Sequence, residues 1–211
     1  MSASNGIHNV VRIFMSKFSQ FTILTTNRCT AACEHCSMHS SPQRRGKVSL
    51  STITNTVDQF MQDEDRPEVV VFAGGEPTLL RNVLFDAIAY CHEKGLKTRI
   101  VTNASWATSM QKADAMINTL RECGLSEVNY SLDDYHARDL NYENVFNAWR
   151  ASKNKGFDSV VIANCYGHHS TITSDFIQQQ LGEEIPVYWD EHGVPQHSML
   201  RSADGTYYLI S

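Results

Sequence analysis

No apolar run in the 211-residue chain approaches the ~18–20 residues needed to cross a bilayer, so no helical membrane span is expected. Residues 1–19 also lack the continuous apolar stretch of a secretory signal. Proline is scarce, with five in all, and no Pro- or Ser-rich linker or low-complexity segment divides the chain. A single domain over 1–211 is therefore expected. Positive charge is not in excess either: 18 Lys and Arg against 23 Asp and Glu leave a net −5, which gives no electrostatic case for a nucleic-acid partner. Acids are missing from the whole N-terminal stretch, Glu34 being the first. An acid-poor targeting presequence would read this way. However, Ile7, Val10, Val11, Phe14 and Phe18 fall on one helical face, and a short docking helix within 1–19 is the expectation.

What the chain does have is cysteine in a telling arrangement. Cys29, Cys33 and Cys36 are spaced C-x3-C-x2-C just beyond the strand-like run Phe21–Thr26. Without an export signal, so tight a trio points to reduced thiols in the cytoplasm rather than disulfides. Three thiolates can grip a soft metal or an iron–sulfur cluster, but four are needed to close one off. An open position usually marks a catalytic metal site. The competing reading is structural zinc, because His39 completes a Cys3His set at plausible spacing.

The rest of the chain reads as repeated β/α units. Ser49 is placed to cap a helix with Leu50, Ile53, Val57, Phe60 and Met61 on one face. Val69–Ala73 reads as a buried strand running into Gly74-Gly75-Glu76-Pro77. Helical faces at Val83–Cys91, Met116–Cys123 and Val145–Trp149 are each followed by a glycine and then a strand: Lys97–Thr102, Glu127–Leu132 and Asp158–Ala163. Ser174 is the expected cap of a last helix, and Ile185–Trp189 the expected sixth strand. The tail 190–211 is expected to form a hairpin, with Asp204-Gly205 turning between Ser198–Ala203 and Thr206–Ile210. Six such units imply an α/β fold with a parallel sheet and right-handed crossovers. Its chemistry gathers where the strands' carboxyl ends emerge.

Cys29-Thr-Ala-Ala-Cys33-Glu-His-Cys36 after a first strand, with Gly74-Gly75-Glu76-Pro77 after a second, resembles the radical S-adenosylmethionine (radical SAM) superfamily. The resemblance implies a partial, open (β/α)6 barrel. It implies a [4Fe–4S] cluster on Cys29, Cys33 and Cys36 whose fourth iron is chelated by S-adenosylmethionine. It further implies reductive cleavage of that cofactor to a 5′-deoxyadenosyl radical, which abstracts hydrogen from a substrate. The family's usual aromatic before the third cysteine is His35 here, with nearby backbone facing the adenine. Gly74, Gly75, Glu76 and Pro77 are assigned by resemblance to the methionyl amino group.

On the fourth strand, alternation puts Val128, Tyr130 and Leu132 on one face and Asn129, Ser131 and Asp133 on the other. Family members often use polar residues here for the ribose and carboxylate, so Ser131 and Asp133 are expected contacts, with ordered water as the alternative. Asn103 and Asn164 close strands three and five as cofactor contacts or as turn residues. Asp134, Tyr135 and His136 are singled out by location alone. His168, His169, His192 and His197 match no ligand pattern. Cys91 and Cys123 read as buried thiols and Cys165 lies at the mouth, so an auxiliary cluster is not expected. The expected partners are an external electron donor such as flavodoxin or ferredoxin, and an unidentified small-molecule or peptide substrate. The rivals are a non-catalytic zinc- or Fe–S-binding regulatory protein on the same barrel and a glycyl-radical activating subunit.

Overall fold

The fold is given by a computed structural model that describes residues 19–62, 66–187 and 204–211. The expected N-terminal helix, the hairpin arm Ser198–Ala203, His192 and His197 lie outside the described residues. Among the described residues six strands, β1 (Gln20–Leu24), β2 (Val69–Ala73), β3 (Lys97–Thr102), β4 (Glu127–Ser131), β5 (Ser159–Ala163) and β6 (Tyr207–Ile210), form one sheet. They lie in sequence order, and all five pairings are parallel. Among the described residues β1 and β6 stand at the two ends of this order and do not pair with each other, so the barrel is open.

Helices α1 (Leu50–Met61), α2 (Asn82–Glu93), α3 (Met110–Glu122), α4 (Asp134–Ala137), α5 (Glu143–Ser152) and α6 (Ser174–Leu181) connect the strands. Ser49 caps α1 as expected, its hydroxyl accepting from the Thr52 N–H. The cap of α6 is Thr173, one residue before the expected Ser174; its hydroxyl accepts from the Phe176 N–H. Among the described residues, no helix is long and apolar enough to cross a membrane.

The helices cover one face of the sheet. Val70, Phe72, Ile100, Val128, Tyr130, Val160 and Ile162 are wholly buried there with Leu84, Ile88, Ile117, Leu120 and Trp149. Tyr130 fixes the register of β4, because its hydroxyl reaches Ser152 Oγ (2.7 Å) and the Ala148 carbonyl (3.3 Å) on α5. Pleating therefore turns Asn129 and Ser131 toward the barrel interior, as expected, and Glu127 with them, whereas the strand ends at Ser131 before the third expected residue, Asp133. Near the strands' amino ends, Arg99 grips Glu127 Oε2 through Nε (2.6 Å) and Nη2 (2.5 Å), and its Nη1 reaches Gln20 Oε1 (3.1 Å).

Of the expected sixth strand Ile185–Trp189, residues 188–189 lie outside the described residues, and among the described residues the sixth strand is another segment. β6 is Tyr207–Ile210, the segment expected to be a hairpin arm, and it pairs parallel to β5. From the expected strand, Val187 makes only an isolated parallel bridge to Ile210. Proline explains the exchange. Pro186 has no N–H to donate to a ladder, although its carbonyl accepts from the Ile210 N–H (2.9 Å). Tyr-Tyr-Leu-Ile has every donor, together with the aromatic and branched side chains that strands favour.

Candidate functional site

A cavity of about 370 Å³ opens at the carboxyl ends of the strands. Its wall includes Cys29, Cys33 and Cys36 from the loop after β1, Gly74, Gly75 and Glu76 from the turn after β2, Thr102 and Asn103 from the end of β3, and Ser131 and His136. Residues up to 107 apart in sequence, at the ends of four strands, thus converge on one space.

The cysteine loop and the glycine turn are joined by backbone. The Gly75 N–H donates to the Thr26 carbonyl (2.6 Å), and the Glu76 N–H to the Arg28 carbonyl (2.9 Å). The thiols receive hydrogen bonds themselves: Asn103 Nδ2 lies 3.4 Å from Cys29 Sγ, and the Ser40 N–H lies 3.4 Å from Cys36 Sγ. Burial pushes the Cys29 thiol up. Burial also raises Cys33 to about 11, with further contributions from the neighbouring Cys29, Asp133 and Asp139. At neutral pH these thiols therefore carry their protons, and a bound metal must displace them.

The donor set fits a cluster better than one ion. Tetrahedral Zn–S bonds of ~2.3 Å place sulfurs about 3.8 Å apart. Among the described residues, the trio is not among the groups whose ligand atoms all lie within 4.8 Å of one another. His39, the fourth ligand of the zinc reading, is exposed and not part of the cavity wall. Three thiols facing one cavity, with their sulfurs not all within 4.8 Å of one another, suit a polynuclear centre with an open position.

Glu76 is the most enclosed acid of the site, 1% exposed. Its Oε1 accepts from the Thr78 N–H (3.1 Å), Thr78 Oγ1 (2.6 Å) and Thr102 Oγ1 (2.8 Å), and its Oε2 accepts from the Asn103 N–H (3.0 Å). Burial raises its pKa, with these four bonds pulling the other way. Glu76 thus caps the 3-10 turn Pro77–Leu80, where Pro77 sits at the start with its fixed φ, and ties that turn to the end of β3. Glu76→Ala should therefore lower stability by about 2–4 kcal/mol, because buried donors lose their acceptor. Thermal melting checks this. An unchanged midpoint would mean that the carboxylate is dispensable to the turn.

Other expected residues divide. Asn103 joins the cysteine loop, holding Thr30 Oγ1 (3.0 Å) as well as Cys29. Asn164 is engaged on the other side: its Nδ2 donates to the carbonyls of Leu132 (2.6 Å) and Ile172 (3.1 Å). It borders a second cavity of about 270 Å³ with Ser131, His35, His136, Cys165 and Ser211. Asp133 caps α4 and meets two imidazoles, His136 Nδ1 at 2.9 Å and His35 Nε2 at 3.3 Å. Burial raises its pKa, but the hydrogen bonds and charge of His136, with a smaller contribution from His35, bring it below the ordinary carboxylate value.

Sequence reasoning missed how the turn after β4 holds the cysteine loop. The Ala32 N–H donates to Asp139 Oδ2, Arg138 pairs with Glu34 (2.6 Å), and Tyr135 stacks on His35 with ring centroids 4.5 Å apart. From the same turn, Asp134 accepts from the N–H groups of Thr171 (2.9 Å) and Ile172 (3.2 Å). The one local signal was Asp133 itself, since Asp ahead of a helix is a favoured N-cap; it does not reveal the contacts to the cysteine loop.

The chain is 29% identical over 167 residues to Fe-coproporphyrin III synthase of Methanosarcina barkeri (strain Fusaro / DSM 804), covering 78% of this chain and 38% of that protein. It is 23% identical over 159 residues to YydG of Bacillus subtilis (strain 168), a protein named for peptide biosynthesis, covering 75% and 49%. The chain thus spans about half or less of the length of these curated relatives. In fold it resembles the radical S-adenosylmethionine methyltransferase TsrM from Kitasatospora setae, solved with cobalamin and a [4Fe–4S] cluster. That likeness has a TM-score of 0.54 at 15% identity and covers 79% of this chain and 33% of that one. A family model for the radical SAM superfamily matches residues 23–177, a span that holds the cysteine loop, the glycine turn and strands β2 to β5, and the chain belongs to the radical SAM superfamily.

Proposed function

We propose that this chain is a radical SAM enzyme whose Cys29, Cys33 and Cys36 hold a [4Fe–4S] cluster and whose cavity takes S-adenosylmethionine. The observation that carries the reading is the convergence of three thiols and the Gly74–Gly75 backbone on one open cavity. When bound and reduced, the cluster supplies the electron that cleaves the cofactor to methionine and a 5′-deoxyadenosyl radical. The chain's own residues bind and orient. The Gly74–Gly75 backbone offers close approach for the methionyl amino group. Glu76 and Pro77 hold that turn, Asn103 secures Cys29, His35 and Ser131 face the adenine and ribose side, and Asn164 sets the far wall.

The substrate reaches the mouth shared by the two cavities. One relative is named for a porphyrin and another for peptides, and the proposal keeps both a small molecule and a peptide segment. The reductant is an external carrier such as flavodoxin or ferredoxin. Uncoordinated thiols and a reducible cluster suit the cytoplasm.

Anaerobic, reconstituted protein given a strong reductant should slowly convert S-adenosylmethionine to 5′-deoxyadenosine and methionine without substrate, and faster with it. Chromatography with mass detection follows both products. A protein that holds its cluster and binds the cofactor yet yields no deoxyadenosine, with or without candidate substrates, would favour the non-catalytic rival.

A further inference from the structure

Asp133 is the expected site residue whose surroundings depart furthest from its expected use. The carboxylate is 2% exposed. Its Oδ1 accepts from both the backbone N–H and Nδ1 of His136, each at 2.9 Å, while Oδ2 faces His35 Nε2 at 3.3 Å. Three of its roughly four acceptor positions are thus taken by protein. The imidazoles are held in turn: His35 lies flat on Tyr135 and meets His136 edge-on, with centroids 5.1 Å apart. His136 borders the main cavity, the second cavity and a small pocket between α4 and α5. With Nδ1 bonded to Asp133, its Nε2 has no protein partner among the described residues.

We infer that Asp133 acts through His136. It fixes Nδ1 as the ring nitrogen that bonds the carboxylate, so that Nε2 is left to hydrogen-bond a hydroxyl of bound S-adenosylmethionine, which the ribose supplies. Asp133 is then a positioning residue and His136 the contact. The arrangement follows the rule that the bond made by one imidazole nitrogen sets the role of the other. This inference rests on the radical SAM reading. The three ligand atoms of His35, Asp133 and His136 also lie close enough to hold an ion. The hydrogen bonds already account for that convergence, since a buried carboxylate needs partners whether or not a metal is present.

A double-mutant cycle tests the inference. Calorimetric titration of reconstituted protein with S-adenosylmethionine should show His136→Ala and Asp133→Asn each weakening binding about tenfold, the loss of one hydrogen bond. The double variant should be no weaker than the worse single one. His136→Gln, which offers an acceptor of its own, should recover part of the affinity and make Asp133→Asn nearly silent in its background. Losses that multiply to about a hundredfold would show that Asp133 touches the cofactor independently, and would overturn the inference. Asp133→Ser, which keeps the cap on α4, replaces Asp133→Asn should that variant fold poorly.

A second readout needs neither cluster nor cofactor. Nitrogen-15 spectra of histidine-labelled protein, recorded at a pH where the ring is neutral, should show His136 as the Nδ1–H tautomer in the wild type and as a tautomer mixture in Asp133→Asn. An unchanged spectrum overturns the inference. Wild-type protein that binds no S-adenosylmethionine would instead defeat the radical SAM reading, while the tautomer still reports on Asp133. One equivalent of zinc bound by a variant lacking all three loop cysteines, and lost on Asp133→Asn, would make the trio a metal site and also overturn the inference.

Discussion

Replacing any one of Cys29, Cys33 or Cys36 with Ala should leave fewer than one iron per chain after anaerobic reconstitution, where the wild type should hold about four. Three thiols are already one short of a closed site, and two cannot hold a cubane against exchange with thiol in the buffer. Position matters as well as number. Among the described residues, Cys91 is buried in the core between the helices and β-sheet, and Cys165 is exposed beside the second cavity, so neither lines the main cavity as a replacement ligand. The raised thiol pKa values give the pH dependence a sign. Each thiol must lose a proton to ligate, so uptake should strengthen as pH rises from 7 toward the value of about 11 for Cys33. Iron and sulfide assays with visible absorption measure it. Full iron in an Ala variant would remove that cysteine from the ligand set. About eight irons in the wild type would reveal a second cluster, and stoichiometric zinc with no visible absorption would revive the zinc reading.

Among the described glycines, Gly75→Ala should be the most damaging added methyl. A Cβ at Gly75 would lie 2.0 Å from the Arg28 carbonyl oxygen and 3.1 Å from that of Thr26, both backbone atoms that cannot rotate away. The two hydrogen bonds between these segments must break for the loops to separate, and the cysteine loop moves with them. Overpacking of this kind costs about 3 kcal/mol. The expected result is a clear drop in melting temperature together with incomplete iron loading. Gly95→Ala is the control. Its Cβ would meet nothing within 4 Å, so only its positive φ of 76° is penalised, at about 1 kcal/mol. Equal melting temperatures for the two variants would show that the loops separate easily, and that the glycine turn does not set the shape of the cysteine loop.

Much of this architecture was legible because the period of each segment and its terminating residues agree. Val69–Ala73 is a strand in sequence and in structure, and the alternation of Val128, Tyr130 and Leu132 against Asn129 and Ser131 predicted which face of β4 meets α5. The cysteine loop and the glycine turn were legible as chemistry, since few patterns need those residue types at that spacing. Where reading failed, the deciding partner was far away in sequence. Ile185–Trp189 and Tyr207–Ile210 are both credible strands; Tyr207–Ile210 takes the edge of β5, while Val187, next to a proline with no N–H to donate, bridges to Ile210 instead. Ser131 and Asp133 share an alternation, yet the chain leaves the strand at Ser131 and Asp133 becomes a helix cap. Periodicity does not register such a departure. Nor could spacing reveal that Asp139 would meet a backbone N–H 107 residues earlier.

That last contact has a consequence for anyone moving parts of this protein into another scaffold. The seven residues from Asp133 to Asp139 grip the cysteine loop on one side through His35, Glu34 and Ala32, and residues 171–172 on the other through Asp134. Transplanting the cysteine loop alone into a foreign barrel would carry the ligands and leave behind the frame that spaces them. The two segments make up a single transferable unit, written in two places in the gene, and a deletion or insertion of even one residue in 133–139 would disconnect both neighbouring loops at once.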